Sequence, residues 1–127
     1  MKAHQEYFMD CHLAGRKYHD ADLVWDDLRV GMEVRLEREP DNRFDANAIQ
    51  VIFNLDGEDY LLGYIPRNEN AKMAVLMDAG WDIFNCRISK LNPESHPEDQ
   101  VQLTIRVKRN EKKNNRRLHR DDGNTMN

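Results

Sequence analysis

Short alternating segments divided by turn residues, between positions 33 and 66, constrain the fold of this chain more than any other feature. Val34 and Leu36 alternate with charged residues, which is the two-residue period of a half-buried strand. Pro40 ends this segment because it has no N–H to donate to a ladder. Asn42, just after it, is typical of a turn, since its side chain can bond the backbone two residues on. The chain is therefore expected to reverse here.

Two further strands are predicted beyond the reversal. Residues 48–53 form an apolar segment that ends before Asp56 and Gly57, a pair that supplies the positive φ of a tight hairpin. Residues 61–65 return as the next strand until Pro66 ends it. Strands this short and joined by turns favour antiparallel pairing rather than crossover connections.

The remaining segments complete a mainly β fold. A first strand is predicted over 7–18 with a bend at 15–17, and a final hairpin over 81–91 and 101–107, joined by a Pro-containing loop. Two helical segments are also predicted. One is a turn over 20–28 that seats Trp25 on the sheet, and the other a helix over 69–79, capped by Asn68 and ended by Gly80. Its core-facing residues are expected to be Met73, Val75, Leu76 and Met77, and those of the hairpin Ile83, Cys86, Ile88, Leu103, Ile105 and Val107. We predict an OB-like or SH3-like β-barrel of about six strands with one or two short helices.

Phe44 and Asp45 are not explained by the strand pattern, because both fall in the predicted loop. An exposed aromatic ring beside a carboxylate can stack a base and accept a hydrogen bond from a sugar hydroxyl, as binding a single-strand end requires. The alternative is structural: Phe44 plugs the end of the core and Asp45 bonds loop amides.

Three segments of the sequence are distinctive when they occur together. They are Ala-Gly-Arg-Lys-Tyr at 14–18, Arg-Glu-Pro-Asp-Asn-Arg-Phe-Asp-Ala-Asn-Ala-Ile at 38–49, and Gly-Tyr-Ile-Pro at 63–66. Together they resemble the HIRAN domain, which occurs fused to Swi/Snf-class DNA translocases and as a free-standing bacterial protein. The resemblance runs from about residue 8 to residue 107. It implies an oligonucleotide-binding-like barrel that holds the 3′ hydroxyl end of single-stranded DNA.

The resemblance also implies roles for particular residues. Lys17 matches a phosphate-contacting position, Tyr18 a base-stacking one, and Tyr64 a further pocket position. Phe44 and Asp45 match the aromatic and carboxylate that hold the terminal nucleotide. Phe44 stands where the DNA-binding examples have tyrosine, and Lys17 where they have arginine, which makes bidentate phosphate contacts that lysine cannot. Local positive charge for the pocket is expected from Arg16, Lys17, Arg43 and Arg67.

Charge is unevenly distributed along the chain. Between Lys108 and Arg120 there are seven Lys or Arg residues and one acidic residue, Glu111, so this segment has a net charge of +6. Asp121 and Asp122 reduce the charge of residues 108–127 to +4. Because the whole chain carries −4, residues 1–107 carry −8. We predict one domain over 1–107 and a basic disordered tail over 108–127, which lacks apolar periodicity. The tail can supply salt-sensitive phosphate contacts, dock on the acidic body, or stay solvated. The acidic body disfavours an extended DNA-tracking groove.

Other functional classes lack their motifs. The sequence has no Gly-rich phosphate loop, nucleophile elbow or helical pair of metal ligands, so no enzymatic activity and no cofactor are predicted. The motor activity found with HIRAN domains belongs to a separate domain, and a helicase or other DNA-processing protein is a possible partner. The remaining alternative is a barrel that binds a protein or peptide.

Metal binding, disulfides and membrane insertion are not expected either. His4, Cys11, His12 and His19 have no Cys-x-x-Cys or His-x-x-x-His spacing, so no metal is predicted. Cys11 and Cys86 are expected to be buried reduced thiols. No apolar run approaches the roughly 20 residues of a membrane span, so we expect a soluble, cytoplasmic protein.

Overall fold

One antiparallel sheet of six strands organises the protein, and the computed structural model describes residues 5–108 of it. The strands are β1 Gln5–His12, β2 Glu33–Arg38, β3 Ile49–Leu55, β4 Glu58–Tyr64, β5 Phe84–Leu91 and β6 Val101–Lys108. Their spatial order is β1-β6-β5-β2-β3-β4. Two short helices accompany them, α1 Ala21–Val24 and α2 Ala71–Asp78. The predicted mainly β fold of about six strands with short helices is confirmed.

The edge strands β1 and β4 meet at a single point. Just beyond β1, the backbone N–H of Ala14 donates to Tyr64 O at 2.9 Å, and Tyr64 N–H donates to Ala14 O at 2.9 Å. The backbones approach closely because Gly63 has no side chain; a Cβ there would lie 2.4 Å from Ala14 O. The sheet is therefore not closed along its length, but this one bridge joins its two edges.

A single hydrophobic core lies inside the curved sheet. Its buried members come from all six strands and from α2, and the most deeply buried include Leu13, Ile49, Val51, Leu62, Ile65, Met73, Ile88, Leu103 and Ile105. Of the core positions predicted for the last hairpin, four are buried (Cys86, Ile88, Leu103, Ile105), whereas Ile83 and Val107 are half-buried. Trp25 packs against the core from a 3-10 turn after α1, as predicted.

The two cysteines are buried free thiols, as predicted. Burial, followed by the charges of Glu69 and Asp10, raises the pKa of Cys11 to about 12. Burial raises the pKa of Cys86 further. Neither thiol is a reactive thiolate at neutral pH.

Several predicted boundaries were wrong. β1 ends at His12, because Gly15 adopts a φ of 70° and Arg16–Tyr18 form a 3-10 turn instead of continuing the strand. β5 begins at Phe84 rather than at residue 81. The hairpin turn is confirmed, since Asp56 and Gly57 have φ values of 52° and 90°.

The start and the buried face of α2 also differ from the prediction. Glu69 N–H donates to Pro66 O at 2.9 Å, and this turn delays the helix, so that Asn70 rather than Asn68 precedes its first residue. Met73 and Ala74 are buried, but Val75 is 66% exposed because the helical period turns it away from the sheet.

Lys108, the first residue of the predicted tail, is the last residue of β6. The rest of that tail, 109–127, lies outside the described residues, as does His4. In the described part of the chain, no helix has the length and apolarity needed to cross a membrane.

Candidate nucleic-acid interface

The loop between β2 and β3 is shaped by its own hydrogen bonds. Asn42 Oδ1 accepts from the backbone N–H of Phe44 at 2.9 Å and from that of Asp45 at 3.0 Å, which confirms the predicted side-chain turn. Ala48 N–H donates to Asp45 O at 3.1 Å and closes the loop. Phe44 projects from it with 79% of its surface exposed. The interpretation of Phe44 as a plug of the core is therefore wrong.

Asp45 is held from two sides. One carboxylate oxygen, Oδ1, accepts from the backbone N–H of Asn47 at 2.9 Å, as the structural alternative required, and Oδ2 accepts from Asn70 Nδ2 at 2.8 Å. Asn70 is 1% exposed, so the orientation of its amide is fixed. Each carboxylate oxygen has two lone pairs, so both can accept one further hydrogen bond from a ligand.

The electrostatic surroundings keep Asp45 ionised. Burial alone raises its pKa, but the hydrogen bonds from Asn70 and Asn47 and the charges of Arg67 and Arg38 outweigh burial and lower the pKa below its ordinary value. Asp45 is thus a preorganised acceptor at neutral pH.

A pocket of about 230 Å³ opens beside this carboxylate. Four of the predicted site residues line it, namely Phe44, Asp45, Tyr64 and Arg67, together with Ala14, Asn42, Ala48 and Ile65. The bridge between Ala14 and Tyr64 brings β4 and the segment after β1 to the same wall. The pocket therefore combines an exposed aromatic ring, an oriented acceptor and a cation.

Tyr64 is oriented by two residues that the sequence did not identify. Its hydroxyl donates to Glu39 Oε1 at 2.5 Å, and its ring lies 5.4 Å from that of His19, measured between centroids. The bonds from Tyr64 and Asn42 lower the pKa of Glu39, while burial and the bond to Glu39 raise the pKa of Tyr64. Glu39 lies in the segment that resembles the family, but no local pattern indicates that it meets Tyr64.

Lys17 and Tyr18 lie on the 3-10 turn that follows the bridge. Tyr18 is exposed, and Lys17 Nζ lies 5.4 Å from the centroid of its ring. Gly15 N–H donates to Glu98 Oε2 at 3.1 Å, which ties the turn to the loop between β5 and β6. Neither Lys17 nor Tyr18 lines the 230 Å³ pocket, so they can contact only a ligand that extends beyond it.

Arg16 is placed differently from the other predicted site residues. It is 6% exposed, its Nη2 donates to Asp22 Oδ1 at 2.6 Å, and its guanidinium lies 4.6 Å from the centroid of the Trp25 ring. It is not brought into the pocket, because it joins the 3-10 turn to α1. Arg43 is exposed on the β2–β3 loop and does not line the pocket.

Metal coordination has no support among residues 5–108. No three His, Cys, Asp or Glu side chains within that range are grouped to hold an ion. His12, one of the histidines noted in the sequence, instead lies 3.4 Å from Glu98 through its Nε2.

The fold and the pocket define a small antiparallel β module, and comparisons place it in a family. The family model of the HIRAN domain matches residues 7–110. A crystal structure of a protein from Lactobacillus plantarum is similar with a TM-score of 0.70 and 30% identity, over 84% of this chain and 97% of that one. The chain belongs to the HIRAN domain family.

Two other comparisons give a likeness of fold and a local likeness of sequence. The crystal structure of the HIRAN domain of human HLTF has a TM-score of 0.61 and 20% identity, over 81% of this chain and 78% of that one, a likeness that shows the fold alone. A Fanconi-associated nuclease 1 homolog from Arabidopsis thaliana is 34% identical over 70 residues. That match covers 55% of this chain but only 7% of the nuclease homolog.

Proposed function

We propose that this protein binds the 3′ hydroxyl end of single-stranded DNA in the pocket beside Asp45. The observation that carries the proposal is the geometry of that carboxylate. Asn47 and Asn70 fix its two oxygens, its lowered pKa keeps it charged, and its remaining lone pairs are available to a donor. A terminal hydroxyl is such a donor, whereas a phosphate in the same place brings two like charges together.

The neighbouring side chains suit the rest of a terminal nucleotide. The exposed ring of Phe44 offers a stacking face for a base. Arg67, which forms no ion pair in the described part of the chain, places a positive charge at the pocket for a backbone phosphate. Tyr18 and Lys17 are then positioned for a base and a phosphate further from the end.

The cellular setting is part of the proposal. The chain resembles proteins named for a HIRAN domain and for a Fanconi-associated nuclease, which supports a role in DNA repair or replication-fork processing. We propose a binding module rather than an enzyme, one that works beside a helicase or another DNA-processing protein. A cytoplasmic location remains a prediction from the sequence.

The direct test is a titration with a short single strand carrying three kinds of 3′ end. A fluorescent oligothymidylate with a free hydroxyl is compared with the same strand ending in a 3′ phosphate or a 3′ hydrogen. A hydrogen bond to a charged group contributes about 1.5–3 kcal/mol, so each blocked end should bind at least about tenfold more weakly. Equal affinity for all three ends contradicts the proposal.

Variants locate the effect in the pocket. Asp45→Asn should reduce discrimination against the 3′ phosphate end, because the amide no longer repels it. Asp41→Asn is the matched control, since Asp41 is an exposed carboxylate of the same loop that does not line the pocket. Phe44→Ala should weaken binding to all ends by about 1–3 kcal/mol, the usual contribution of one stacked base. If Asp45→Asn binds every end more tightly and equally, the carboxylate was only repulsive.

The competing interpretation, that the same pocket receives a peptide, is tested by these ends as well. A peptide pocket has no reason to distinguish a 3′ hydroxyl from a 3′ hydrogen, whereas an end-binding pocket must.

A further inference from the structure

A second and larger opening lies between β2 and β5, away from the pocket beside Asp45. It has a volume of about 440 Å³ and shares no lining residue with that pocket. We call it the β2–β5 groove. Its lining includes the apolar side chains of Leu36, Met77, Trp81 and Phe84, together with two carboxylates and two cations.

The groove exists because the pairing of two central strands stops early. β2 and β5 pair at Glu33 with Arg87 and at Val34 with Cys86. In the same register Arg35 would next face Asn85 and Leu36 would face Phe84, but these pairs do not form. The strands diverge instead, and the space between them is the groove.

The divergence leaves a strand edge without a neighbour. β2 remains paired with β3 from Arg35 to Arg38, but among residues 5–108 no strand pairs with these residues on the β5 side. The far end of this edge is covered, because Arg38 Nε donates to Asp78 Oδ1 of α2 at 2.8 Å. A short length of edge is therefore open for one added strand, the arrangement used in β-strand addition.

A buried side-chain oxygen without a hydrogen-bond donor lies where β2 and β5 diverge. Asn85 is the first β5 residue beyond the last pair; it is 5% exposed, and its Nδ2 donates to Glu33 Oε2 at 2.8 Å. Its Oδ1 is buried and has no hydrogen-bond partner within the described residues. Asn85 does not itself line the groove, so this unsatisfied oxygen shows only that the pairing of β2 and β5 is incomplete at this point.

The side chains around this edge favour an apolar anchor. Trp81 is 48% exposed although it lines the groove together with Phe84 and Met77. Large aromatic side chains left partly open in a concavity are characteristic centres of binding energy at protein interfaces.

The charge at the groove argues against a nucleic-acid occupant. The cation Arg35 is already bound by Asp59, at 2.8 Å, and lies 3.5 Å from Glu37, while Lys108 lies 3.8 Å from Asp82. Glu33 is a further carboxylate, and it lies 3.6 Å from Arg87. The charged side chains that line the groove or contact its lining are thus four carboxylates (Glu33, Glu37, Asp59, Asp82) and three cations (Arg35, Arg87, Lys108). Residues 1–107 carry −8 in total. This excess of negative charge favours a cationic chain over a phosphate backbone.

From these observations we infer that the β2–β5 groove binds an extended peptide in which apolar side chains alternate with Lys or Arg. The backbone of the peptide lies along the open edge of β2, its apolar side chains pack on Trp81 and Leu36, and its cations face the carboxylates of the rim. Such a site would attach this DNA-end module to a second protein. The inference does not depend on the pocket beside Asp45.

The two tryptophans of the chain provide the assay. Trp81 lines the groove, whereas Trp25 packs beside Arg16 on the core, so their indole N–H signals in a ¹⁵N-labelled full-length chain separate groove binding from general effects. The probe is acetyl-Lys-Lys-Leu-Lys-Leu-Lys-Lys-amide, whose two leucines share one face when extended. The control peptide has glutamate at every lysine position.

We expect the lysine peptide to shift the Trp81 signal and leave the Trp25 signal in place at concentrations up to about 1 mM. The glutamate peptide should bind at least about fivefold more weakly. Asp82→Lys should weaken the lysine peptide by a similar factor, and Trp81→Ala by about tenfold or more, followed through backbone signals near Phe84. Val75→Ala, an exposed apolar residue of α2 outside the groove, is the matched control and should change nothing.

Three results would overturn the inference. They are no shift of Trp81 with the lysine peptide, equal or tighter binding of the glutamate peptide, and a Trp81 shift when an oligonucleotide with a free 3′ hydroxyl is added instead. Phe44→Ala should leave peptide affinity unchanged, so failure of the groove and failure of the DNA-end pocket are distinguishable.

Discussion

Replacing Gly63 by alanine tests whether the seam between β1 and β4 is as tight as the structure shows. Gly63 has no unusual φ, so the substitution brings no backbone strain of its own, only a methyl group. That methyl would lie 2.4 Å from Ala14 O and 3.0 Å from two side-chain atoms of Leu13. Leu13 is fully buried and cannot move aside, so the segment after β1 must shift away from β4.

The cost follows from what that shift breaks. The two hydrogen bonds between Ala14 and Tyr64 contribute about 1 kcal/mol each. Forcing a methyl into a packed site adds about 1–3 kcal/mol. We therefore expect a loss of roughly 3–5 kcal/mol from a total stability of about 5–15 kcal/mol.

Urea unfolding followed by circular dichroism measures this loss. With a denaturant slope of about 2 kcal/mol/M, the midpoint should fall by roughly 1.5–2.5 M. Gly80→Ala is the comparison, because Gly80 has a φ of 93° but nothing within 4 Å of an added Cβ; its conformational cost is about 1–2 kcal/mol. If Gly63→Ala unfolds at the same or a higher urea concentration than Gly80→Ala, the close approach does not stabilise the fold and the reasoning is refuted.

Further predictions concern stability and affinity separately. Arg16→Ala should lower the free energy of unfolding in urea by about 1–3 kcal/mol, because the guanidinium is buried over Trp25, and should leave oligonucleotide affinity unchanged. Lys17→Ala should weaken oligonucleotide affinity and leave the free energy of unfolding unchanged. The pKa of Asp45 is lowered by folding, so the stability it contributes is complete above the ordinary carboxyl pKa of about 4 and is lost as pH falls through the lower folded value. Asp45→Asn should therefore make stability less dependent on pH in this acidic range, as measured by urea midpoints at a series of pH values; an unchanged profile would show that Asp45 does not contribute. Removal of residues 109–127 should shift the melting temperature by less than about 2 °C and reduce the salt dependence of oligonucleotide affinity; a fall of many degrees would mean that these residues pack.

Local chemistry made much of this fold predictable. The alternation in β2, the stop at Pro40, the Asn42 turn and the Asp56 and Gly57 hairpin depend on residues a few positions apart, and the structure reproduces each of them. Because these signals are local, the sequence also predicted that Phe44 and Asp45 lie on a loop.

Only the tertiary structure decided what surrounds those residues. The amide that fixes Asp45 belongs to Asn70, 25 positions away, and the carboxylate that orients Tyr64 belongs to Glu39, also 25 positions away. Arg16 was expected at the DNA surface, but its environment is set by α1 and Trp25. A pattern in the sequence records the preference of each residue for strand, turn or surface. It does not record which distant side chain supplies a hydrogen bond, because that depends on how the strands curve and where their pairing stops.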